Sequence, residues 1–119
     1  MKTKTITLPL PAKELSPNAR VHWAVLAKAK RNYRTESYLN SITQGISSGC
    51  AEIESYMLYF FYPDKRRRDD DNYVARMKSG LDGISDAIEQ DDSEWQNDGV
   101  RTDLDRENPR VEVRLILRG

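Results

Sequence analysis

Residues 53–62, IESYMLYFFY, constrain this chain more than any other stretch, and Pro63 follows them directly. Aromatic and branched side chains favour extended backbone, and the near-continuous MLYFFY segment predicts a strand buried on both faces of a sheet. Such a strand needs neighbours on its edges and cover on its faces. Pro63 ends it, because proline has no N–H to give to a ladder. From Asn72 to Ile88 the period changes: Tyr73, Val74, Met77, Leu81, Ile84 and Ile88 recur every three or four residues. That spacing predicts a single amphipathic helix, weakened internally by Gly80 and Gly83.

The remaining chain adds a strand before this unit and two after it. Thr3–Leu10 alternates threonine with Ile6, Leu8 and Leu10 until Pro9 and Pro11 stop the pattern. In LSPNARVHW, Ser16 or Asn18 can cap a helix and Pro17 suits a first turn. A helical pattern follows from Trp23 to about Ser47, with Val25, Leu26, Tyr33, Tyr38, Leu39, Ile42 and Ile46 as its apolar positions. Gly99–Leu104 and Arg110–Leu117 read as a strand pair turned by ENP at 107–109. The order β-α-β-α-β-β predicts one α+β domain spanning 1–119, with two helices on a mixed four-stranded sheet.

Composition narrows the class. A chain of 119 residues, 38% hydrophobic and 32% charged, suits one folded domain with a modest core. The zero net charge hides an asymmetry: residues 1–48 carry eight Lys and Arg against two Glu, and residues 49–119 carry eleven against seventeen acids. A basic surface can therefore stand beside an acidic pocket. Cys50 is the single cysteine, which excludes an internal disulfide and a cysteine-rich zinc cage and fits a reducing cytoplasm. No apolar run reaches the ~20 residues needed to span a bilayer, and MKTKTITLPL is too short and interrupted for a signal peptide. The expectation is a soluble, cytoplasmic protein.

The chemistry concentrates in PDKRRRDDDN, residues 63–72. One capping Asp stabilises a helix start by ~0.5–2 kcal/mol. Two unit charges ~4 Å apart repel by ~1 kcal/mol in water and ~4 kcal/mol at an effective dielectric near 20. Three successive carboxylates cost more than a cap returns unless a cation offsets them. In extended backbone Asp69 and Asp71 face one side and Asp70 the other, so a hard divalent ion fits between the outer pair. Magnesium uses one or two carboxylates together with water and substrate phosphate. It would polarise a phosphoryl group and make hydroxide available from water without a histidine. Lys65, Arg66, Arg67 and Arg68 stand upstream to grip a nucleic-acid backbone. The structural alternative is a helix cap surrounded by surface charge.

Other motifs are absent. A calcium loop starting at Asp69 would need Asp or Asn where Tyr73 stands and Gly where Val74 stands. His22 is the lone histidine, read as a packing or polar surface residue. Asp91 and Asp92 in EQDDSEW can add metal ligands or cap a turn carrying Trp95. Lys78 can pair with Asp82 four residues on, a contact worth ~0.2–0.5 kcal/mol, or lean back toward a phosphate at the helix start.

PDKRRRDDDN, a helix with Lys78 and Leu81-Asp82-Gly83, and then Asp91-Asp92 together resemble the RusA-type Holliday junction resolvases. The likeness covers most of the chain, including the strand ending in LPLP and the SPN loop. It implies a homodimeric, magnesium-dependent endonuclease, with manganese able to substitute, that cuts four-way DNA junctions by paired symmetric nicks. Such enzymes act in recombination and repair and are often encoded by phages and prophages. By position the resemblance puts metal ligands at Asp69, Asp71 and Asp92, with Asp91 beside them. The family's helix lysine falls on Ala75, and Lys78 matches if one turn has been inserted. The catalytic set is then Asp69, Asp71, Asp92 and Lys78, with Lys65, Arg66, Arg67, Arg68, Lys28, Lys30, Arg31 and Arg34 on DNA phosphates and no organic cofactor.

A helix of sixteen or so residues rises ~24 Å, which separates Asp92 from Asp71 unless the chain folds back or a partner subunit supplies Asp92. In an antiparallel dimer Gly80 and Gly83 would permit close contact. The rival readings are a branched-DNA-binding module without catalysis and an interaction protein using its aromatic strand.

Overall fold

Alternation and turn chemistry produce a four-stranded sheet in the order β1-β4-β2-β3. The computed structural model describes residues 2–17, 19–65 and 73–118. Its strands are β1 (Lys2–Leu8), β2 (Ile53–Tyr62), β3 (Gln96–Leu104) and β4 (Arg110–Leu117). β4 runs antiparallel to both β1 and β2, whereas β3 lies parallel to β2. The sheet is therefore mixed and the class α+β. Among the described residues three helices accompany it: α1 (Trp23–Thr43), α2 (Tyr73–Arg76) and α3 (Lys78–Ile88). The segment anticipated as one helix divides at Met77, whose φ of −93° and ψ of 0° leave the regular helical range.

β3 and β4 are not paired with each other, contrary to the strand-pair reading. β2 lies between them. Residues 105–109 arch over its C-terminal end, where the Asp105 N–H donates to the Tyr62 carbonyl at 2.7 Å. β3 also starts three residues earlier than its alternation suggests. Its pairing with β2 slips between Tyr56 and Leu58, where Asn97 is followed in register by Val100. Gly99 sits in that bulge at a φ of +130°, backbone that residues with a Cβ rarely adopt.

β2 buries one face fully and the other only by half, short of the two buried faces expected. Leu58 and Phe60 are fully buried, with Tyr56 and Tyr62 beside them, and Phe60 meets Tyr73 of α2 at 4.7 Å between ring centroids. On the opposite face Tyr59 and Phe61 stack at 4.8 Å. Arg110 lies 3.9 Å over Phe61 and Arg114 lies 4.4 Å over Tyr59. Guanidinium groups do there what a second layer would otherwise do.

The packing of α1 against α3 corrects the predicted apolar stripe of α1 in part: Tyr33, and Ile46 just beyond the helix, are buried, and Leu26 packs half-buried against the core. The buried residues of α1 are Tyr33, Ser37 and Ser41, whereas Val25, Tyr38, Leu39 and Ile42 are exposed, Leu39 by 57%. The reason lies on α3. A Cβ at Gly83 would fall 2.4 Å from the Arg34 carbonyl oxygen, and one at Gly80 2.9 Å from the Tyr33 ring. Gly80 makes room for the Tyr33 ring, and opposite Gly83 the backbones come so close that α1 presents the small Ser37, whose Oγ donates to the Gly80 carbonyl at 2.5 Å. These glycines are used within the chain, which removes the close-contact role assigned to them in a dimer.

Helix starts and strand edges are fixed by side chains reaching backbone. His22, rather than Ser16, caps α1, its Nδ1 accepting the Ala24 N–H at 3.1 Å; Asn18 lies outside the described residues. Beyond α1, Gln44 accepts the Thr7 N–H at 2.8 Å and donates to the Thr7 carbonyl at 2.9 Å, supplying the partner that edge strand β1 lacks on that side. Gln90 braces the entry to the interior strand β2, accepting the Ile53 N–H at 2.8 Å and donating to the Ala51 carbonyl just before the strand at 3.2 Å.

Candidate active site

Lys78 is the first residue of α3, and its position follows from what lies just before it. Met77 is fully buried and its sulfur lies 3.5 Å from the Tyr33 hydroxyl, which donates its proton to the Pro9 carbonyl at 2.7 Å. Burial pushes the Tyr33 phenol up, with Glu36 adding to the effect. Anchored by its neighbour, Lys78 turns its ammonium outward to two carboxylates, Asp82 Oδ1 at 3.0 Å and Asp92 Oδ2 at 3.1 Å. The hydrogen bond to Asp82 raises the lysine pKa most, and the one to Asp92 adds to it, against the opposing effect of desolvation.

The approach of Asp92 to Lys78 has a local cause. Glu89 takes a left-handed conformation at φ 58° and ψ 44° and ends α3 after eleven residues, a helix stop usually made by glycine. The chain then reverses, Ser85 Oγ donating to the Gln90 carbonyl. Asp91 accepts the Ser93 N–H at 3.0 Å and caps the 3-10 turn Asp92–Glu94. These bonds hold its carboxyl below the usual range. Of the adjacent acids, Asp91 thus serves the turn and Asp92 faces Lys78. Burial raises the Tyr56 phenol and nearby Asp92 raises it further, which puts this β2 tyrosine beside the same cluster.

A groove of about 570 Å³ opens next to the lysine, walled by Leu15, Leu26 and Val74 and edged by Lys30, Lys78 and Asp82. Two of the predicted cations, one from α1 and one from α3, therefore share a rim. Lys28 and Arg31 are exposed on α1, and Lys65 is exposed after β2. Among the described residues none of them has a carboxylate partner. Arg34 differs: its Nε and Nη2 donate to the two oxygens of Asp86 at 2.7 and 2.8 Å. That fork ties α1 to α3, and the guanidinium holds the Asp86 carboxyl low.

Arg66, Arg67, Arg68, Asp69 and Asp71 lie outside the described residues. Among the described residues no three His, Cys, Asp or Glu side chains converge as a metal cage. What is present fits a hard cation in kind. Asp82 and Asp92 are oxygen donors that already share one positive charge, the Lys78 ammonium, and magnesium takes such ligands in ones and twos. From sequence Asp82 stands as a helix partner of Lys78 and as part of the Leu81-Asp82-Gly83 stretch, with no metal or catalytic role. Its place in the same cluster as Asp92 follows from the chain reversal at Glu89, which no spacing rule exposes.

No family model matches the chain. It is 39% identical over 92 residues to an uncharacterized protein of Xylella fastidiosa (strain Temecula1), a match covering 75% of this chain. The chain spans 60% of that relative's length. No described helix is long and apolar enough to cross a membrane.

Proposed function

We propose that this chain is a RusA-like, divalent-metal-dependent endonuclease that acts as a homodimer on four-way DNA junctions, nicking two strands symmetrically. One observation carries the reading: Lys78 and Asp92, fourteen residues apart and each singled out from sequence, meet at 3.1 Å beside a groove that Lys30 also edges. An electrostatic centre next to surface cations with no carboxylate partner among the described residues suits a phosphodiester substrate.

Asp69, Asp71 and Asp92 would hold the metal, which when bound supplies Lewis-acid polarisation of the scissile phosphate. The remaining work falls to this chain's own groups. Lys78 offers an ammonium N–H to a phosphate oxygen at the groove rim and steadies it. Lys30, Lys28 and Arg31 hold the flanking backbone, so affinity falls steeply with salt. Asp91 keeps the 3-10 turn in shape and thereby the direction of Asp92. Arg34 and Asp86 fix α1 on α3 and set the separation of Lys30 from Lys78.

The test is cleavage of a synthetic four-way junction by wild type beside Asp71→Asn, across a range of Mg²⁺ and Mn²⁺. The expected result is paired nicks by wild type, and binding without nicking by the variant. Wild type that binds junctions but never nicks them leaves the non-catalytic module; a protein with no preference for junction over duplex rejects both.

A further inference from the structure

The two carboxylates that share Lys78 are not equivalent. Asp82 stands one turn further along α3, so helix geometry keeps it near the ammonium whatever happens around it. Asp92 comes from the returning loop and is the more enclosed of the two, with a side chain 14% exposed against 26% for Asp82. Their oxygens can be no farther apart than the sum of their distances to Nζ. Carboxylates that close repel unless a cation stands between them. The ammonium is that cation here.

We propose that Lys78 is an exchangeable counter-ion of Asp92, and that Asp82 is the positioning residue that keeps the ammonium at the groove when a divalent cation takes Asp92. The proposal rests on the endonuclease reading above. A divalent ion and an ammonium on one carboxylate repel each other, so the weaker charge leaves. The Lys78 side chain is 64% exposed and, without a second anchor, would swing into solvent. Asp82 supplies that anchor from the same helix. Of the three ammonium N–H groups, one stays on Asp82 and the others become free at the groove rim that Lys30 shares. The Asp82 pair, an ordinary helix contact in itself, thus retains a cation where phosphate would lie.

Two measurements on the intact protein decide this. In the first, the Lys78 ¹⁵Nζ resonance is followed by NMR during a Mg²⁺ titration. Wild type should show a saturable shift with the ammonium still protected from exchange; Asp82→Asn should lose the protected signal as Mg²⁺ is added, and Asp82→Glu should restore it. In the second, Mn²⁺ affinity is measured by calorimetry, and Lys78→Met should bind about fivefold more tightly, the competing ion pair being gone. If Asp92→Asn abolishes Mn²⁺ binding but Lys78→Met leaves it unchanged, the exchange idea falls and the endonuclease reading stands. Retention of the protected signal in Asp82→Asn refutes the positioning role. If wild type binds no divalent ion, both this proposal and the reading beneath it fail.

Discussion

Replacing Gly83 with alanine should destabilise the protein even though alanine is the better helix former. The helix-propensity gain is ~1 kcal/mol. Against it, the new methyl would stand 2.4 Å from the Arg34 carbonyl oxygen, 2.6 Å from Ser37 Cβ and 2.9 Å from Ser37 Oγ. The first of these atoms is backbone inside α1, held by the helix ladder, so no rotamer change relieves the contact. α1 must move away from α3 as a body. Overpacking of this kind costs ~1–3 kcal/mol and occasionally more. The shift also stretches the bond from Ser37 to the Gly80 carbonyl, worth ~1 kcal/mol. The net expectation is a loss of about 1–3 kcal/mol, or a fall in Tm of roughly 4–12 °C for a domain of this size. Urea and thermal unfolding followed by circular dichroism measure it, with Gly49→Ala as control because a Cβ there meets nothing within 4 Å. Gly83→Ala as stable as wild type, or more so, would refute the close-approach account of the helix pair.

Three further outcomes follow from the same packing. Gln44→Ala should cost about 1–2 kcal/mol by urea unfolding, because Thr7 loses both backbone partners on its open side; no loss would mean water replaces the amide freely. A double-mutant cycle with Arg34→Met and Asp86→Asn should give a coupling of only about 0.5–1 kcal/mol, since both side chains are more than a third exposed. The Asp86 carboxyl is lowered in the folded state, so this contribution is present above the unfolded carboxylate value. It should fade as pH falls below about 4, and a coupling that grows on acidification contradicts the pairing. In an absorbance titration Tyr33, whose phenol is raised by burial, should stay protonated after exposed tyrosines have ionised near pH ~10. Tyr33→Phe should remove that late step, and an unchanged curve would place the burial elsewhere.

How far the sequence could be read depended on whether the cue was local. The span of β2 was legible to the residue, because β-branched and aromatic side chains and a closing proline act within a few positions. The second helix was legible as a face and not as an unbroken rod, since Met77 departs from helical backbone to bury itself under Tyr33. The face of α1 was legible at Tyr33 and Leu26 and misled beyond them: Ser37 and Ser41 join Tyr33 on its buried side because glycines on α3 draw the two helices together, and a glycine's effect on a distant helix leaves no periodic trace.

The sequence by itself determined the α+β class, the order of elements, the Lys78–Asp82 pair and the crowding of basic and acidic residues after Pro63. Those properties depend on neighbours within a turn of helix or a few residues of strand. Tertiary structure decided that β2 separates β3 from β4, that one face of the sheet is covered by arginines, and that Asp92 reaches Lys78. Each of these needs a chain reversal to bring together side chains far apart in the sequence, and the free energy of that reversal comes from the packed core it completes.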